Sequence, residues 1–141
     1  MAKPLLTPID EPRPLSVLIP AYNEEATIRE VVRKALARPL VGQVVAVDDG
    51  SDDRTWELLQ EFAGDERVLL RRHQVNQGKG AALSTAFPLA TRPVVIIQDA
   101  DLEYNPDDYP EVVAPILQGY ADVVYGSRFL SGHHRVHLFW H

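Results

Sequence analysis

The chain contains no cysteine, a single methionine and no apolar run that approaches the roughly 18 residues of a membrane span. Without cysteine there is no disulfide framework, no thiolate metal site and no cysteine nucleophile, which suits a reducing compartment. The N-terminus also lacks the apolar core of a signal peptide, so the expected setting is soluble and cytoplasmic. Positive charge is scarce as well: 14 Lys and Arg face 20 Asp and Glu, a formal net charge of −6. That balance argues against a nucleic-acid partner held by bulk positive charge. A length of 141 residues allows one domain or part of one.

The acidic surplus is uneven. Nine of the 20 carboxylates fall in two segments, Asp48, Asp49, Asp52 and Asp53 in one and Asp99, Asp101, Glu103, Asp107 and Asp108 in the other. The remaining 11 are outnumbered by the 14 Lys and Arg.

Residues 1–14 carry Pro4, Pro8, Pro12 and Pro14, each of which removes a donor and fixes φ, so an irregular arm is expected there. From Leu15 onward, β-rich apolar runs at 15–20, 43–48, 67–72, 93–99 and 121–126 alternate with helical periods at 24–38, 53–63, 78–90 and 108–118. In the first of these periods Ile28, Val31, Val32, Ala35 and Leu36 make one apolar stripe, and Trp56, Leu59 and Phe62 or Leu58 make the next. Five strands interleaved with four helices predict an α/β domain with a mostly parallel, Rossmann-like sheet and helices on both faces. The runs VVAVD and PVVIIQ are apolar at almost every position, as strands covered on both faces should be. The stretch from Ser127 is rich in His and aromatics, and it reads as the start of a further region cut off at His141. Its His133, His134, His137 and His141 lack zinc-ligand spacing.

Ligands of open parallel sheets bind outside the carboxyl ends of the strands, and the polar motifs of this chain sit at those ends. Asp99 and Asp101 follow a buried strand one residue apart, and two carboxylates so placed are costly against an apolar edge unless a cation joins them. Oxygen donors suit Mg2+ or Mn2+, and Glu103 could supply a third. The competing reading is that Asp99 caps a loop and Asp101 caps the following helix. In DDGSDDRT, Gly50 and Ser51 form a tight turn and Ser51, Asp52 or Asp53 caps a helix. Asp48 and Asp49 are then left to accept from a base N–H or a ribose hydroxyl. In NQGKGAA, Gly78 and Gly80 let backbone approach a ligand while Lys79 offers charge to phosphate, the competing reading being a plain helix start. Arg128 could pair with a diphosphate or with a structural carboxylate.

Together, VLIPAYNEEATI, VVAVDDGSDDRT, NQGKGAAL, VVIIQDADLEYNPDD and VVYGSRFLSG resemble, in order and spacing, the glycosyltransferase family 2 pattern of the GT-A fold. The resemblance covers Leu15 to Gly132 and is nearest to the bacterial polyprenyl-phosphate sugar transferases, relatives of dolichol-phosphate mannosyltransferase. It implies three parts: an arm at 1–14, a nucleotide-sugar-binding domain at 15–132 and the start of an acceptor-side region at 133–141. It implies a UDP- or GDP-sugar donor, with Pro20, Tyr22, Glu24, Val47 and Asp49 lining the base and ribose pocket. Asp99, Ala100 and Asp101 become the DXD element, with Asp101 and Glu103 nearest a Mg2+ or Mn2+ ion and Asp99 nearest ribose or sugar. Many members carry Gln in place of Glu103. Arg128 would face the diphosphate or the acceptor phosphate.

The implied reaction inverts the anomeric centre, and its implied acceptor is a polyprenyl phosphate at the inner face of the membrane, which a peripheral protein, alone or as a homo-oligomer, could reach. An acceptor hydroxyl needs a general base, whereas a phosphate is already anionic. Transfer to a small soluble acceptor such as a phosphoglycerate, or nucleotide-sugar binding without turnover, are the alternatives. Because the acceptor-side half is missing, binding is expected to exceed transfer. A signalling receiver domain would place its acidic groups after the first and third strands, and here they follow the second and fourth.

Overall fold

The computed structural model describes residues 4–126. Four parallel strands, β1 (Leu15–Ala21), β2 (Val41–Asp48), β3 (Val68–Arg72) and β4 (Val94–Ile97), form one sheet in the order β3-β2-β1-β4. Between and after them come α1 (Ile28–Leu36), α2 (Thr55–Gln60), α3 (Lys79–Ala86) and α4 (Tyr109–Leu117), with short 3-10 turns at Phe87–Leu89 and Pro106–Asp108.

Every residue of β1 and β2 is buried, as continuous apolar runs require when helices cover both faces. Leu15, Val17, Ile19 and Ala21 of β1 pack with α1, α2 and α4, whereas Leu18, Val45 and Val47 pack under Ala82, Leu83 and Ala86 of α3. The first apolar stripe holds as read: Ile28, Val31, Val32 and Ala35 are buried and Leu36 is partly so. Burying one such side chain stabilises by about 1.5–3 kcal/mol, which explains how a nine-residue helix persists.

The run at 121–126 differs from expectation. Among the described residues it forms no strand, and β4 pairs only with β1. The chain turns at Gly119, whose φ is +79°, and the Tyr120 and Ala121 amides return to the Pro115 carbonyl. The following residues pass β4 across an apolar cavity of about 270 Å3 instead of a ladder, leaving Val123 and Tyr125 exposed.

The proline-rich arm is anchored. The Leu5 and Leu6 amides donate to the Gly119 carbonyl, and the Ile9 amide donates to that of Leu117. No helix among the described residues is long and apolar enough to cross a membrane.

Candidate functional site

Strand order reverses between β1 and β4, since β2 and β3 lie on one side of β1 and β4 on the other. Crevices of parallel sheets open at such a point. A cleft of about 250 Å3 lies there, lined by Pro20, Ala21, Tyr22, Glu24, Lys79, Asp99, Ala100 and Asp101.

Its first wall is the loop after β1, which is shaped by the turn after β2. Asn23, in the left-handed region at φ 51°, donates its amide to Ser51 Oγ and accepts from the Asp52 amide through Oδ1. The Glu24 amide donates to Thr55 Oγ1 and the Glu25 amide to Asp53 Oδ2. Asp53 also accepts from the Thr55 amide and hydroxyl, so it caps the start of α2. Burial raises its carboxyl pKa, but the bonds from Thr55 and Glu25 outweigh that and leave it below the ordinary value. Much of the first acidic segment is therefore scaffold.

The second wall is the loop after β4. Gln98 is buried, donates from Nε2 to the carbonyls of Asp99 and Tyr104, and accepts from the Tyr109 hydroxyl at 2.7 Å. Every polar group of its amide is thereby satisfied, and burial pushes the Tyr109 phenol pKa up, keeping that donor protonated. Thr27 Oγ1 donates to the Ala100 carbonyl at 2.5 Å, with Glu24 Oε2 3.1 Å away. Leu102 is held at φ 64°, a left-handed conformation that costs a non-glycine residue about 1–2 kcal/mol. Asn105, not Asp101, caps the next helical turn by accepting from the Asp107 amide, so the capping alternative for Asp101 gives way. Asp101 is exposed at the cleft and accepts from the Glu103 amide.

Lys79, the first residue of α3, closes the cleft, and its Nζ lies 2.5 Å from Asp99 Oδ1. Pro20, Tyr22, Glu24, Lys79, Asp99, Ala100 and Asp101 are thus gathered in one place. Val47 and Glu103 are not among the lining residues; Val47 is fully buried under α3 and Glu103 is exposed beside Asp101. Arg128 and the histidine-rich tail lie outside the described residues.

Asp48 is also directed elsewhere than the sequence suggests. Its fully buried carboxylate pairs with Arg72, whose guanidinium stands 5.6 Å over the Trp56 ring. Asp49 Oδ1 meets His73 Nδ1 at 2.7 Å and the Gln77 amide at 3.0 Å, while Oδ2 accepts from the Gly78 amide at 2.8 Å. Burial raises the Asp49 pKa, but His73 and the two amides together bring it below the ordinary carboxylate value. Asp49 is thus held inside the fold, its side chain 3% exposed, and it is not among the residues lining the cleft.

Asp99 and Asp101 present oxygen donors of the kind that Mg2+ and Mn2+ prefer. No group of three or more His, Asp or Glu among the described residues is arranged to enclose a metal. Such a donor set suits a cation that takes one or two protein carboxylates and completes its shell from water and substrate phosphate.

Comparison with known proteins bears on what occupies the cleft. A family model for glycosyl transferase family 2 matches residues 16–141. A dolichol-phosphate mannosyltransferase from Pyrococcus furiosus is 35% identical over 121 residues, which is 84% of this chain and 34% of that protein. An undecaprenyl-phosphate 4-deoxy-4-formamido-L-arabinose transferase from Pectobacterium carotovorum is 41% identical over 125 residues, 82% of this chain and 37% of that one. The chain thus spans about a third of the length of these curated relatives. A mannosyltransferase from Pyrobaculum calidifontis, solved with GDP-Man and Mn2+, superposes with a TM-score of 0.65 at 28% identity, covering 89% of this chain and 37% of that structure.

Proposed function

The chain belongs to glycosyl transferase family 2, and on that premise we propose that it forms the donor-binding part of an inverting sugar transferase using UDP- or GDP-sugars. The observation that carries this reading is the meeting of Lys79, Asp99 and Asp101 in one cleft with Tyr22 and Glu24. One ammonium and two carboxylates beside a half-exposed aromatic ring supply the groups that a base, a ribose and a diphosphate need.

Pro20, Tyr22 and Glu24 take the base and ribose side, backed by Val47 and Asp49. Lys79 carries three donors, one of which meets Asp99, leaving two for diphosphate oxygens. Asp101, with Glu103 next to it in the loop, holds Mg2+ or Mn2+, and Asp99 orients ribose or sugar. The cation, when bound, supplies positive charge that favours departure of the diphosphate. Gln98 and Thr27 fix the carbonyls of this loop, so its carboxylates need little rearrangement as a donor binds. Arg128 is assigned to the diphosphate or to the acceptor phosphate.

For the acceptor we favour a polyprenyl phosphate, reached by a protein peripheral to the inner face of the membrane. The names of the Pyrococcus and Pectobacterium relatives support that choice. Such a phosphate is already ionised and needs no general base. Residues 15–132 form the donor unit in this reading, 1–14 an arm and 133–141 the beginning of the acceptor side.

Calorimetry with GDP, UDP and their sugars, with and without Mn2+, tests the donor site. The expected result is binding strengthened by Mn2+, with Asp101→Ala abolishing the metal-dependent part. Binding of neither nucleotide in the presence of Mn2+ ends this reading. Parallel transfer assays with a polyprenyl phosphate and with phosphoglycerate, on a chain extended through the acceptor side, separate the two acceptor classes.

A further inference from the structure

Between β3 and α3 the chain must deliver Lys79 to the cleft, yet residues 74–77 are all exposed and offer no apolar anchor. What holds this turn is polar. The Gln77 and Gly78 amides donate to opposite oxygens of Asp49, a residue on the neighbouring segment after β2. His73 bridges that same carboxylate, through Nδ1 at 2.7 Å, and Thr85 Oγ1 of α3, through Nε2 at 2.9 Å. Its side chain is 11% exposed and that of Asp49 is 3% exposed, so neither bond is strongly competed by water.

Chemistry fixes the direction of the bond to Asp49, and the state of the ring sets that of the bond to Thr85. An ionised carboxylate only accepts, so Nδ1 carries a proton; in the neutral ring Nε2 then accepts, and the Thr85 hydroxyl donates. The imidazole therefore ties the end of β2 to the body of α3 and turns Asp49 toward the two amides that precede Lys79.

We propose that His73 is a positioning residue of the donor cleft, bridging Asp49 and Thr85 so that the turn at Gln77 and Gly78 presents Lys79 to Asp99 and to a diphosphate. The assignment to a diphosphate rests on the donor-site reading above. The clamp itself does not, because it is a property of the chain without ligand. Removing the imidazole leaves Asp49 Oδ1 with the Gln77 amide alone, frees the carboxylate to rotate, and loosens the turn that sets Lys79 on the rim, whose half-exposed side chain is then held there by Asp99 alone. The contribution of His73 should then appear more strongly in affinity for phosphate-bearing ligands than in affinity for the nucleoside, which feels it only through Asp49.

Two measurements on the chain test this. The first is amide hydrogen exchange at Gln77 and Gly78 in the absence of ligand, referenced to Val17 in the central strand. Losing a bond to a charged acceptor should speed exchange at both amides by roughly tenfold or more in His73→Leu, and less in Thr85→Val, with Val17 unchanged. His73→Asn retains a donor for Asp49 and should restore much of the protection. Unchanged exchange at Gln77 and Gly78 in folded His73→Leu overturns the clamp; if that variant does not fold, the same result in Thr85→Val does so.

The second is a comparison of GDP with guanosine, and UDP with uridine, by titration with Mn2+. His73→Leu should lower diphosphate affinity by roughly tenfold more than nucleoside affinity, and in a Lys79→Met background it should cost the diphosphate no more than the nucleoside. Equal loss for nucleoside and diphosphate overturns the link to Lys79. If the unaltered chain binds no nucleoside diphosphate, the donor-site reading falls, and the exchange experiment still decides whether His73 holds the turn.

Discussion

Lys79 and Asp99, 20 residues apart, meet with Nζ 2.5 Å from Oδ1 across the carboxyl end of β1. The pair joins the first residue of α3 to the end of β4, two elements on either side of the point where strand order reverses. Half of the Lys79 side chain faces solvent, so the pair adds little to stability and its place at the cleft is what matters.

Lys79→Met is therefore expected to leave thermal unfolding almost unchanged while weakening nucleoside-diphosphate binding by about 10–100-fold, the loss of one bond between charged groups. Calorimetry beside a melting curve checks both halves. A large drop in melting temperature would show that the pair is structural.

Tyr109→Phe removes one hydroxyl and leaves Gln98 Oε1 buried without its donor. The expected cost is about 1–3 kcal/mol in urea unfolding, and Mn2+-dependent nucleotide affinity should fall with it, because Gln98 also holds the Asp99 carbonyl. Unchanged stability would mean that water or a rotated amide replaces the phenol.

Gly50 has φ +72°, and a Cβ there would lie 2.5 Å from the Val75 carbonyl carbon. Gly50→Ala combines left-handed strain with a backbone clash against the turn that precedes Lys79, so a loss of about 2–4 kcal/mol is expected. Chemical denaturation reads it, and a loss below that for an ordinary surface change would contradict the close approach.

Asp49 predicts a pH effect. Its native pKa lies below the unfolded value of about 3.9, so its ionised form stabilises the fold above that pH. The contribution fades as pH falls through the lower native value. Asp49→Asn should thus be less stable than the unaltered chain at neutral pH, and the gap should narrow below about pH 4. A gap that stays constant down to pH 2 would show that Asp49 carries no such shift.

The parts of this protein that were legible in its sequence are those governed by local pattern. Apolar runs such as VVAVD read as covered strands and the stripe from Ile28 to Ala35 as a sheet-facing helix, and both are found so. The grouping of Lys79, Asp99 and Asp101 followed from the rule that parallel sheets bind ligands at their carboxyl ends. The run at 121–126 has the same β-rich composition as β4, but pairing is a tertiary outcome, and here a turn at Gly119 and a cavity intervene. Asp48 and Asp49 look equivalent in sequence, whereas their partners, Arg72 for one and His73 with two amides for the other, are fixed only when β3 docks on β2. Gln98 and His73 do not stand out in the sequence, because no spacing rule supplies their partners.

The arm tied to Gly119 has a consequence for the unfolded chain. A segment that gains only a few backbone bonds normally costs more to order than those bonds return, at about 1–2 kcal/mol of conformational entropy per residue. Pro4, Pro8, Pro12 and Pro14 each remove backbone freedom before folding begins, so less is lost when the Leu5, Leu6 and Ile9 amides find their acceptors. Glycine at 119 completes the match, since a Cβ there would stand 2.5 Å from the Leu6 carbonyl oxygen. A stiff strap and a bare backbone position thus let the leading segment settle on the end of α4 with few contacts, where a flexible leader of equal length would fray.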